Sequence, residues 1–122
     1  MLSNGLVVAI GGAVGALLRF HVSESMPTDT FPWGTLTVNL VGSVLLGVLT
    51  GLLASNLLSE QQALLLGVGV LGAFTTLSTF SVEAATMVDE GRWAPLAAYV
   101  GLTGIAGPVL ALLAWKTTTS LT

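Results

Sequence analysis

The chain contains no cysteine and very little charge. Its 122 residues include three Lys or Arg, six Asp or Glu and one His. The lack of cysteine excludes disulfides, thiolate metal sites and thiol nucleophiles, and leaves the redox compartment unreadable. Three basic side chains cannot build the patch that neutralises phosphates, so nucleic acid is not an expected partner. Charged residues are 7% of the chain, against about 25% in ordinary soluble domains. A soluble enzyme and a disordered chain are both excluded on that ground. What the chain has instead is apolar surface: 53% of its residues are hydrophobic and the mean hydropathy is +0.93. That composition fits a multi-pass membrane protein. A helical span takes about 20 residues, so four spans take roughly 80 and leave only short loops. The expected arrangement is a single four-helix transmembrane domain over residues 1–122.

Four apolar stretches are visible, at about 6–20, 34–54, 63–87 and 95–115. The first has no basic segment before it and contains Gly11, Gly12 and Gly15, so it is read as a retained span and not a cleaved signal. Pro27 and Pro32 mark a loop between the first two stretches. Ser59 and Gln62 have the spacing of a capping box opening the third. Asp89, Glu90, Gly91 and Arg92 mark a tight turn before the fourth. With four spans, one end of the bundle carries Lys116 and the other Arg92, with Arg19 near its edge. A difference of one basic residue is too small for the positive-inside rule to fix an orientation. Insertion in both directions is compatible with that balance.

Small residues recur at helical spacing. Gly11 and Gly15 form a GxxxG pair whose face continues to Arg19. Ser43, Gly47 and Gly51 repeat on the second span, and Thr103, Gly107 and Ala111 on the fourth. Such stripes let helix backbones approach closely in a bilayer, and packing is their expected role. Pro108 is expected to kink the fourth span. His21, alone in its loop, is read as a bystander.

Three polar features ask for more. Arg19 ends the first span, where an arginine either snorkels to water or serves a function. Asn39 lies inside the second span with Ser43 one turn on, and a buried amide there needs a partner or a polar ligand. Interhelical bonding and pore lining both stand open for it. The third span holds Gly67, Gly69 and Gly72, followed by Thr75, Thr76, Ser78, Thr79 and Ser81. Hydroxyls can fold back on their own helix. Their density after a glycine-rich run instead points to a broken helix near mid-membrane, which frees carbonyl oxygens for a cation and hydroxyls for an anion.

Three segments resemble the CrcB/Fluc family of fluoride channels. They are GGAVGALLRF at 11–20, GTLTVNLVGS at 34–43 and GAFTTLSTFSVE at 72–83. They fall in the family's order and the resemblance covers essentially the whole chain. It implies an all-α membrane fold: four transmembrane helices with a broken third, assembled as an antiparallel dual-topology dimer in the cell membrane. It implies two fluoride pores per dimer and a structural sodium ion (Na+) at the dimer interface, held by the main-chain carbonyls of Gly72 and Thr75. The positions matching the pore are Asn39, Ser78, Thr79, Phe80, Tyr99 and Thr103, and those matching the vestibules are Arg19 and Glu83. The implied function is passive fluoride export. One departure stands out. The family has two pore phenylalanines three residues apart on the third span; Phe80 matches the second, and the first is Leu77 here. An aromatic edge carries partial positive charge that can face an anion, and leucine has none. Either a homodimer or a heterodimer with a related subunit fits this departure, and Phe74 is a possible substitute ring. Of the rival readings, a proton-coupled exporter of the small multidrug type needs a carboxylate within the first span, and a purely structural adaptor leaves Asn39 and the hydroxyl run unexplained.

Overall fold

The computed structural model describes residues 2–122, and among these every regular element is helical. Helix α1 is Asn4–Ser25 and α2 is Trp33–Ala54. The third span, Glu60–Asp89, is two helices: α3 at 60–74 and α4 at Leu77–Asp89. The fourth span is α5, Trp93–Leu121. All four spans are long and apolar enough to cross a membrane. At about 1.5 Å per residue, 22-residue helices reach roughly 33 Å, matching a hydrocarbon core of about 30 Å.

The helices run beyond the apolar stretches that reveal them, because hydropathy marks the lipid and not the end of the helix. α1 continues five residues past Phe20 and stops where Pro27 forces Met26 into extended backbone (φ −115°, ψ 144°). The polar ends are closed by local chemistry. Ser59 and Gln62 form the expected reciprocal capping box at the start of α3. α4 ends in a Schellman turn: Gly91 takes φ +69°, its N–H donates to Val88 O, and the Arg92 N–H donates to Met87 O. α2 ends in the same way, with Asn56 at φ 57° and the N–H groups of Asn56 and Leu57 donating to Leu53 O and Leu52 O.

Packing follows the small-residue stripes. α1 lies on the first half of the third span, and α2 lies on the second half of α5. The α1 contact is made backbone to backbone. A methyl on Gly11 would overlap Leu65 O, one on Gly15 would overlap Val70 O, and one on Gly69 would sit 2.9 Å from the Gly11 Cα. In the second pair, Gly47 faces Ala111 and Gly51 faces Trp115 and Thr118. Two stretches are π-helical: Leu64–Leu71 in α3, which lies in the contact with α1, and Leu102–Ala106 in α5, which precedes the contact with α2. The second π segment lies just before Pro108, where the ring deprives the i−4 carbonyl of its donor.

Trp33 and Trp93 start α2 and α5 at one end of the bundle, and Trp115 and Lys116 lie near the other, with the lysine nitrogen 5.2 Å from the indole centre. These are the amphipathic side chains that settle at membrane–water boundaries. Only a minority of each span is buried within the single chain, and Leu17, Leu77, Val82 and Ile105 are among the most exposed apolar side chains.

Candidate functional site

The break between α3 and α4 is the centre of the site. Thr75 (φ −86°, ψ 159°) and Thr76 (φ −150°, ψ 124°) are extended, so two helix ends meet inside the membrane. One presents carbonyls and the other N–H groups, giving opposite partial charges side by side. The Thr76 hydroxyl caps α4, accepting from the Thr79 N–H at 3.3 Å and donating to the Thr79 hydroxyl at 3.1 Å. The Thr75 hydroxyl folds back to Leu71 O at 3.0 Å.

Asn39 reaches across from α2. Its Oδ1 accepts the Thr76 N–H at 2.8 Å, and its Nδ2 donates to the Thr76 carbonyl at 3.0 Å. Arg19 reaches in from α1, with Nε donating to the Ala73 carbonyl at 2.9 Å. Arg19 is thus tied to the break and does not simply extend to water. Gly72 and Thr75 are left with carbonyls that have lost their helical donors, since the N–H of Thr76 goes to Asn39 and that of Thr79 to a side chain. Hard cations prefer such oxygens, so this donor set fits sodium.

Beside the break is a cavity of about 370 Å³ lined by Asn39, Ser43, Thr75, Leu77, Phe80 and Thr103, among others. Ser43 donates to Asn39 O at 2.6 Å. The Thr103 hydroxyl oxygen is buried with no hydrogen-bond partner, an arrangement that costs free energy unless a ligand or water completes it. A second cavity of about 220 Å³, at the tryptophan-33 end, is lined by Glu83, Glu90, Asp29 and Arg92 among others. Arg92 pairs with Glu90 at 3.5 Å and donates to the Thr30 carbonyl, tying two loops together. A chain of side-chain contacts through Phe80 and Tyr99 runs from the first cavity to Glu83 in the second. Their rings meet edge to face at 4.9 Å, Tyr99 is fully buried, and its hydroxyl donates to Glu83 at 2.9 Å.

The sequence-derived residues therefore fall into groups. Asn39, Thr75, Phe80 and Thr103 line the first cavity, Glu83 lines the second, and Tyr99 stands between them. Thr79 belongs to the α4 cap, while Ser78 and Gly72 are exposed and line neither cavity. Leu77 lines the first cavity but is 75% exposed, whereas Phe74 is buried against α1 and α2. Phe74 therefore does not stand in for the ring absent at 77. Sequence reasoning passed over Thr76, whose backbone is the partner of Asn39, and Gly42, where a methyl would overlap Thr75 Cγ2. The signal for both was weak: one threonine among five hydroxyls, and one glycine off the Ser43–Gly47–Gly51 stripe.

Four membrane-spanning helices, a mid-span break and a cavity with neutral donors define a multi-pass membrane protein of the channel and transporter class. The chain belongs to the CrcB family: residues 6–115 match the family described as "CrcB-like protein, Camphor Resistance (CrcB)". A relative from Novosphingobium aromaticivorans, named "Fluoride-specific ion channel FluC", is 49% identical over 82% of this chain and 83% of its own. Proteins of the same name from Pseudoalteromonas translucida and Idiomarina loihiensis are 47% and 40% identical. The first match covers 75% of this chain and 79% of its own, the second 97% and 96%.

Proposed function

We propose that this chain is the subunit of a fluoride-selective channel that exports fluoride passively, a channel and not an enzyme. The observation that carries the reading is the cavity at the helix break, where an unpartnered Thr103 hydroxyl, the Asn39 amide and the Phe80 ring converge without a charged side chain. Fluoride is small and strongly hydrated, so a pore must replace its water with donors. A fixed Lys or Arg would hold it too tightly for release, while neutral donors permit entry and exit. The Asn39 Nδ2 carries two hydrogens and the Thr76 carbonyl takes one, leaving the other for an anion. Phe80 and Tyr99 lead from this cavity toward Glu83; Thr79 serves the α4 cap, and Ser78, exposed on the single chain, reaches a pore only if a partner subunit covers it.

A sodium ion fits the Gly72 and Thr75 carbonyls, one pair from each subunit of an antiparallel dimer. Bound there, it would supply positive charge near the path without standing in it. The near-even division of basic residues between the two ends and the open, apolar faces of the spans support dual-topology pairing. The exposed Leu77 is in position to meet a partner subunit, like or unlike. A proton-coupled exporter is not favoured: the only acidic residue in α1 is Glu24, next to its end.

The test is fluoride efflux from liposomes containing the purified protein alone, read with a fluoride electrode. Release well above that from empty vesicles is expected. No release from an intact dimer, with or without a related partner, overturns the channel reading. Two variants refine it. Leu77→Phe adds a ring edge at the cavity and is expected to raise flux severalfold, an edge contact being worth about 1 kcal/mol. Gly42→Ala pushes on Thr75 and is expected to lower flux about tenfold while preserving the fold, since overpacking costs about 1–3 kcal/mol. Paired flux and thermal-melt measurements check both.

A further inference from the structure

A helix interrupted inside a membrane leaves main-chain groups that must find partners. Here those partners come from the neighbouring helices. Asn39 satisfies both the N–H and the C=O of Thr76, as an adjacent strand would, at 2.8 and 3.0 Å. Arg19 takes the Ala73 carbonyl at 2.9 Å. Gly42 leaves room for the Thr75 side chain. Across the break, the carbonyls of residues 73 and 76 are occupied by side chains, while those of 72 and 75 have lost their helical donors.

We propose that Asn39 is a positioning residue: with Arg19 it holds the break open and keeps the Gly72 and Thr75 carbonyls available before any cation arrives. A metal site that exists only around its ion draws its folding free energy from binding. This one is preorganised, because the partners that define the extended backbone at 75 and 76 are covalent parts of α1 and α2. Binding then loses little to ordering the ligands. The geometry stands independently of the proposed function. Its consequence for sodium rests on that reading.

The measurement is solid-state NMR of the full-length protein in bilayers, with ¹³C at the asparagine side-chain carbonyls and ¹⁵N at the threonine amides. Dephasing between Asn39 Cγ and the Thr76 nitrogen is expected in sodium and equally when N-methylglucamine replaces sodium. T76S identifies the signal, since it retains a backbone N–H at 76 but removes the label. Loss of the dephasing without sodium overturns the proposal, because the ion would then be building the break. The second readout is sodium affinity in Asn39→Ala, expected to fall about tenfold or more while the protein still elutes as the wild type does. Unchanged affinity in that folded variant overturns the positioning role. If Asn39→Ala does not fold, the wild-type comparison decides alone. Dephasing in a wild-type protein that binds no sodium overturns the cation reading and supports a break held entirely by side chains. No fluoride is present in either measurement, so failure of the channel reading is registered separately by the liposome assay.

Discussion

Gly15→Val is expected to remove most folded protein from the membrane, whereas Gly12→Val, three positions earlier on α1, leaves it near the wild-type level. The pair isolates one contact. A Cβ at Gly15 would overlap the Val70 carbonyl and approach the Phe74 nitrogen to 3.1 Å, while at Gly12 nothing lies within 4 Å. The obstacle at Gly15 is main chain, which cannot swing aside as a side chain can. Overpacking ordinarily costs about 1–3 kcal/mol and occasionally more. Here α1 would have to separate from the π-helical part of α3 along its whole contact, so the upper end applies. The yield of monodisperse protein in detergent and its thermal midpoint check this. Equal behaviour of the two variants would mean that α1 and α3 do not meet through Gly15.

Asn39→Asp is expected to lower fluoride flux by about 100-fold or more. Two like charges about 6 Å apart, at an effective dielectric constant of about 20, repel by about 3 kcal/mol, which is about 100-fold in rate. The carboxylate also loses the donor that Asn39 offers the Thr76 carbonyl. Protonating the carboxyl would not restore the amide, because it offers one hydrogen where Asn39 offers two. Liposome efflux with matched protein content measures the effect. Flux within a few-fold of wild type would take the side chain out of the path.

The four spans and the interrupted third were legible from the sequence because the bilayer imposes a blunt rule: about 20 apolar residues cross it, and glycine beside clustered hydroxyls weakens a helix at depth. The Ser59–Gln62 box was legible because both partners lie within one turn. The partner of Asn39 was not legible. Thr76 is 37 residues away, and nothing local distinguishes it from Thr75 or Ser78. The burial of Phe74 escaped for a related reason. On a continuous helix Phe74 and Leu77 would lie on neighbouring faces, but the extended residues between them send one inward and leave the other exposed. Arg19 was visible as a charge at a span end, yet its attachment to Ala73 depends on α1 reaching the break, which the glycine stripe permits only once the helices are docked.

The π-helical run Leu64–Leu71 has a consequence for timing along the chain. Each residue in an i→i+5 turn advances around the axis by less than the α-helical 100°. The run therefore acts as a phase adjuster between two schedules, the glycines that must face α1 and the break that must face α2. Gly69 meets Gly11 on one side, and seven residues later Thr76 meets Asn39 on the other. A one-residue deletion in this run would leave composition and hydropathy almost unchanged. It would nevertheless turn everything after it, so Asn39 would face the wrong peptide. Within Leu64–Leu71 the constraint on the sequence is therefore first on how many residues there are, and only then on which.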